Sequence, residues 1–353
     1  MLHKTDQEFN HPLTYFYKID LGPCLNLPEY KDLGDVLLPK YGGYIASGII
    51  QLDVFLMAVS YLILFGSVMR HSFPSVPITE RMWIAIAGCL VLPTVFLKSL
   101  SLIAWLSATS TVALIAVVVY VLWYGAESTD EWDLNTILFW DTEGVVTSLS
   151  ILLYSYYAQP IIPYVEGSMA EKGKFGRALT LAYVVSASMK LSFAVFAFFT
   201  FGVNTDAVIL NSLPSGPVHI TVGSFFALNC ILSYSLVIYP LFEFINKSIT
   251  IRIQNDQIPD FVTNAVIPVA AVVLSVVVAI LVPSFLVIIS FIGGILDSPA
   301  CYIFPILLRF KLKYKRLKIH QVCVDSLVLI FGVIAMFLSV PVSIKNLMKF
   351  YEQ

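Results

Sequence analysis

The stretch YSYYAQPIIPYVEGSM, residues 154–169, crowds four tyrosines, two serines, a glutamine, two prolines and a glutamate into otherwise apolar sequence. Pro160 and Pro163 each remove a main-chain donor and obstruct the helical ladder. Within a bilayer, carbonyls freed in this way must be satisfied by protein or by an aqueous cavity. Transporters use such breaks, since exposed main-chain groups and helix ends near the midplane hold the charged groups of a ligand. Tyr154, Ser155, Tyr157, Gln159 and Pro163 are therefore candidate substrate-binding residues. The competing reading is an interfacial aromatic belt around a plain proline kink. Gln159 counts against it, because a belt has no need of an amide between apolar neighbours.

Ionisable residues inside apolar runs form the second set of candidates. Asp53 lies in IIQLDVFLM, Lys190 in SASMKLSFAV and Asp297 in GGILDSPACY; Glu166 belongs to the broken segment itself. A charge at membrane depth is costly and faces a bundle interior or a cavity, where it serves coupling or an ion pair. Asp53, Lys190, Asp297 and Glu166 are thus the candidate charge network, with Lys190 and Asp297 as a coupling pair. The bland alternative for each is a satisfied structural pair or a side chain that snorkels to the interface. Gly293, Gly294 and Pro299 flank Asp297, so an irregular helix is expected there.

The elements that must position these residues are membrane helices. Of 353 residues, 58% are hydrophobic and only 12% charged, whereas soluble domains run at about 45–50% and about 25%. A crossing takes about 20 apolar residues, and the sequence predicts nine: 43–69, 82–98, 101–124, 144–165, 176–202, 218–245, 262–282, 284–308 and 320–344. The run 262–308 is too long for one crossing, and Pro283 marks the turn between two helices. The predicted organisation is a cytosolic lead-in over 1–42, a polytopic transmembrane domain over 43–344 and a short tail over 345–353. With the N-terminus in the cytosol, 16 of the 21 Lys and Arg fall on the cytosolic side, as the positive-inside rule requires. The acidic loop 126–143 and the C-terminus then lie opposite. The basic cluster RFKLKYKRLK, 309–318, reads as a topology anchor beside anionic lipid and not as a nucleic-acid site.

Other classes are disfavoured. The five cysteines are scattered, form no CxxC pair and read as small core residues. No HExxH, metal cluster or nucleophile–base spacing appears, so an enzyme, a metal site and a bound cofactor are not expected. Nine spans exclude a seven-helix receptor.

Several segments resemble the amino acid/auxin permease family, and within it the vesicular transporters of inhibitory amino acids. They are FPSVPITERMWIAIAGCLVLPTVFLKSLSLIAWLS (73–107), YSYYAQPIIPYVEGSM, LNSLPSGP (210–217), ILSYSLVIYPLFEFINKS (231–248) and KIHQVCVDSLVLIFGV (318–333). The resemblance runs from about residue 30 to the C-terminus. It implies an all-α inverted-repeat bundle of eleven helices and secondary active transport of a small neutral amino acid, GABA or glycine-like. The driving force it implies is a proton gradient or the membrane potential. The partners would be the amino acid, protons or another coupling ion, and the lipid bilayer. The location would be a synaptic or cytoplasmic vesicle or another endomembrane, with the plasma membrane as the alternative. By the same resemblance, Tyr154, Ser155, Gln159, Pro163 and Glu166 match the family's broken sixth helix, and Lys190 a lysine of the next one. Tyr234, in the element in which Ser235 replaces the family's proline, is a further candidate substrate-binding residue. Asp53 stands where glutamate is usual and Asp297 where small residues are usual. His320 and Asp325 match the start of a peripheral last helix and read as structural. A non-transporting amino-acid sensor or regulatory membrane subunit is the alternative function.

Two five-helix halves make an inverted repeat. The broken helix at 144–165 and the four spans after it complete one half, while only three spans precede it. The expectation is therefore a chain that lacks the first two helices of the eleven-helix fold, either a truncated transporter or a paralogue that has lost transport, with little or no flux of its own.

Overall fold

A computed structural model describes residues 30–96, 100–127, 142–158, 169, 171–202, 205–214, 216–253, 265–282, 284–313 and 317–352. Among these residues all regular structure is helical. The helices are α1 (Tyr30–Leu37), α2 (Gly42–Ser72), α3 (Glu80–Val95), α4 (Leu100–Glu127), α5 (Thr142–Ser155), α6 (Phe175–Phe201), α7 (Pro217–Ile253), α8 (Ile267–Leu281), α9 (Phe285–Phe291), α10 (Phe304–Lys313) and α11 (Ile319–Glu352).

Five stretches are long and apolar enough to cross a membrane: Gly42–Ser72, Phe175–Phe201, Pro217–Asn246, Phe285–Leu312 and Ile319–Met348. Shorter apolar helices cover Leu114–Glu127, Gly144–Ser155 and Ile267–Leu281. The chain is a multi-pass membrane protein. Nine equal crossings are not what the described residues show. The run predicted over 144–165 stops being helical after Ser155, and α3 and α8 have 16 and 15 residues. At 1.5 Å per residue such helices reach about 24 Å, short of a hydrocarbon core of about 30 Å. The predicted turn in 262–308 falls between Leu281 and Phe285; Pro283 itself lies outside the described residues.

The span Phe285–Leu312 is irregular where Asp297 and its glycines suggested. Between α9 and α10 it passes through two π-helical stretches, Ile292–Asp297 and Pro299–Ile303. An extra residue per turn of this kind is uncommon and often marks a functional site.

The chain divides into two compact units. One contains Gln51–Thr142, Phe193–Ile289 and Ser343–Gln353. In it α4 packs on α7, and α3 packs on both α7 and α8. Lipid supplies no hydrophobic drive between helices, so close packing and side-chain hydrogen bonds must hold them. Gly223 of α7 lies directly against the Ser72 side chain of α2. Tyr234, with no exposed surface, shares a 2.6 Å hydrogen bond with Ser275 of α8. Ser235 meets Thr94 of α3 at 2.5 Å between hydroxyls.

The other unit contains Met1–Ile50, Glu143–Ser192 and Ser290–Val342. Its α1 packs on α10, and Lys311 of α10 donates to the Leu37 carbonyl at 3.0 Å. The Asp35 carboxylate accepts from the Gly43 N–H at 2.9 Å. It satisfies one of the free donors at the start of α2, where negative charge is also favoured by the helix dipole. Ser298 donates to the Gly332 carbonyl at 2.6 Å, pinning the π-helical region to α11.

Candidate functional site

Helix α5 ends where its sequence says it must. A helix continued to Pro160 would drive the proline ring into the carbonyl four residues back, at Tyr156. The structure leaves the helix earlier, after Ser155, and residues 156–158 are not helical. The last four carbonyls of a helix have no partner within it, and here each of them finds one. The Tyr156 N–H is shared between Leu152 and Leu153 at 3.3 Å each, and the Tyr157 N–H donates to Tyr154 at 3.2 Å. The fourth, Ser155, accepts from the Lys190 ammonium of α6 at 2.5 Å.

That ammonium makes two further contacts. It donates to Ser155 Oγ at 2.6 Å and lies 4.2 Å from the centroid of the Tyr156 ring. Tyr183, two turns earlier on α6, stacks on Tyr156 with centroids 6.1 Å apart and planes 20° apart. The C-terminal end of a helix carries partial negative charge, so a cation belongs there. Residues 35 apart in sequence thus close one polar cluster at the end of a broken membrane helix.

The remaining candidates are distributed as follows. Tyr154 sits on the last turn of α5, with its Cβ against Gly293. Tyr157 follows the helix end, half-buried. Asp297 closes the first π-helical stretch and has no exposed surface. The hydrogen bonds of Lys190 run to Ser155. Asp53 is fully enclosed in α2, and Tyr234 is committed to Ser275; both belong to the other compact unit. Gln159, Pro163 and Glu166 lie outside the described residues.

Two features escaped the sequence reading. Ser150 of α5 and Ser339 of α11 share a hydrogen bond of 2.7 Å, and the Gly293–Gly294 pair lies against both. Three helical segments meet there because two of the residues have no side chain. The signal was the adjacent glycines, read only as neighbours of Asp297. Arg309, taken as one of a cluster of lipid-facing anchors, instead donates to Asp325 at 2.8 Å, and the two side chains are 14% and 4% exposed. The structural reading of Asp325 gains a partner by this.

The sequence pattern described as "Transmembrane amino acid transporter protein" matches residues 26–345. The chain belongs to this transporter family. The family is one of transporters and not of enzymes. Among its relatives, the vesicular inhibitory amino acid transporter of Xenopus tropicalis is 27% identical over 303 residues, covering 83% of this chain and 58% of that one. The Homo sapiens protein of the same name is 25% identical over 323 residues, covering 89% and 61%. The amino acid transporter AVT1J of Arabidopsis thaliana is 25% identical over 319 residues, covering 86% and 74%. The chain spans about three fifths of the length of the vesicular relatives.

Proposed function

We propose that the protein carries a small neutral amino acid, GABA or glycine-like, across a vesicle or other endomembrane, driven by a proton gradient or the membrane potential. The observation that carries this reading is the end of α5. The apolar helix α5 stops after Ser155, and its last carbonyl and hydroxyl are held by a cation from the next helix. Tyr154, Ser155, Tyr157 and Gln159 would form the binding side of that break, with Asp53, Lys190, Asp297 and Glu166 as the charge network. The family membership supports an amino acid as cargo, and the names of the vesicular relatives support an inhibitory one. Purified protein in proteoliposomes, given a panel of amino acids and an imposed pH gradient or potential, tests this reading, and saturable uptake of a small neutral one, even at a low rate, supports it. Binding without flux would overturn the transport reading in favour of a sensor or regulatory subunit.

Within that site, Tyr154→Phe and Gln159→Ala should each weaken amino-acid binding without loss of assembly. A buried hydrogen bond to a charged group is worth about 1.5–3 kcal/mol, on the order of tenfold to a hundredfold in Kd. Unchanged affinity in both variants would reduce the segment to a kinked anchor.

The proposed orientation places residues 1–42 and 309–318 in the cytosol, the domain 43–344 in the membrane and the tail 345–353 on the far side. It rests on the uneven distribution of Lys and Arg. In intact cells permeabilised only at the plasma membrane, a tag after Gln353 should be hidden from antibody and one within 309–318 reachable. A cytosolic C-terminal tag would invert the assignment.

A further inference from the structure

We propose that the end of α5 is a binding site for a primary ammonium group, and that Lys190 is its tethered occupant. The site has three parts. The Ser155 carbonyl and Ser155 Oγ receive N–H donors at 2.5 and 2.6 Å, and the face of Tyr156 receives the charge at 4.2 Å. A carbonyl at a helix C-terminus, a hydroxyl and an electron-rich ring are together what an alkylammonium ion seeks. Tyr183 of the same helix as Lys190 stacks on the Tyr156 ring.

The geometry selects against other cations. Hard ions such as calcium and magnesium take six or more oxygen ligands, and Ser155 supplies two oxygens. An ammonium has directional donors that two acceptors can use, and its charge is soft enough for a ring face. Among the described residues the partners of the Lys190 ammonium are a carbonyl, a hydroxyl and a ring. Lys190 is an exposed residue. It reaches the site from outside and is not walled in, which leaves a path for a free ammonium to replace it.

This arrangement bears on the transport reading, on which its functional consequence rests. An amino acid presents the same chemical group that Lys190 presents. A substrate amine arriving at the end of α5 would compete with the lysine for Ser155 and Tyr156. The tethered ammonium then acts as a gatekeeper that keeps the broken end satisfied while the site is empty of substrate and is displaced when it fills.

The test needs no transport. Unfolding of the purified protein in detergent is followed for wild type, Lys190→Met and Lys190→Met/Tyr156→Leu, with methylammonium chloride or equal sodium chloride. Loss of the lysine should lower Tm by about 3 °C or more. Methylammonium should return most of that loss along a saturable curve, as any ligand of the native state does, and sodium should not. The double variant should gain little from either salt. Lys190→Gln, which keeps one N–H toward Ser155, should lose less and be rescued in the same direction. Should Lys190→Met yield no folded protein, extraction in methylammonium should recover it. Failure of methylammonium to rescue or recover the single variants, equal rescue by sodium, or full rescue in the double variant would each overturn the proposal. A chain that moves no amino acid can still pass this test, and one that transports can fail it, so the two readings stand or fall separately.

Discussion

Gly293→Ala is expected to cost more than about 3 kcal/mol of stability, although it adds one carbon. A Cβ at this position falls on the carbonyl oxygen of Ser150 in α5, 2.8 Å from its carbonyl carbon and 3.1 Å from Tyr154 Cβ. The obstacle is main chain, which has no rotamer by which to retreat. Overpacking in a dense core typically costs about 1–3 kcal/mol, and more where nothing gives way. Here α5 would have to move off the π-helical stretch. That movement would also strain the Ser150–Ser339 hydrogen bond beside Gly294. Gly48→Ala supplies the comparison. Gly48 is helical too, but a Cβ there meets nothing within 4 Å. Alanine should improve the helix by up to about 1 kcal/mol, since glycine is the poorer helix former. Thermal unfolding of both variants in one detergent checks the pair. Equal Tm values would mean that α5 and the π-helical stretch do not touch as described.

The same glycines show where sequence reading reaches its end. Hydropathy located the membrane helices because a bilayer imposes length and apolarity on each one separately. The break after Ser155 was legible for a similar reason: proline acts on its own helix. An irregular helix around Asp297 was legible because glycine and proline flank it. What glycine makes room for was not legible, since Ser150 and Ser339 arrive from helices 143 and 46 residues away in sequence. Lys190 is legible in the sequence as a charge out of place in lipid, but the groups that hold its ammonium are not. Its actual partners are a main-chain carbonyl, a hydroxyl and a ring. A carbonyl leaves no mark in a sequence, so that pairing could be found only in three dimensions. Ser235 follows the same rule: its departure from the family's proline was visible, its hydroxyl contact with Thr94 was not.

Arg309 supplies the second large effect, and it separates an anchor from an ion pair. A lipid-facing basic residue among RFKLKYKRLK is one of several, and its loss should be absorbed by its neighbours. The structure instead joins Arg309 of α10 to Asp325 of α11 at 2.8 Å, both mostly enclosed. Removing one member of a buried pair leaves the other charge without its partner, at a cost of about 3–5 kcal/mol. Arg309→Leu is therefore expected to lower stability by about that amount, and Asp325→Leu by a similar one. Replacing both together should cost less than either single change, because desolvation of two charges already offsets much of what the pair contributes. The double-mutant cycle gives the coupling between them, expected above about 1 kcal/mol for groups in direct contact. Lys318→Leu, a basic residue of the same cluster with no ion pair among the described residues, should stay within about 0.5 kcal/mol of wild type. Strictly additive losses from Arg309→Leu and Asp325→Leu would mean that the helices do not meet through this pair, and would return Arg309 to the role of an anchor.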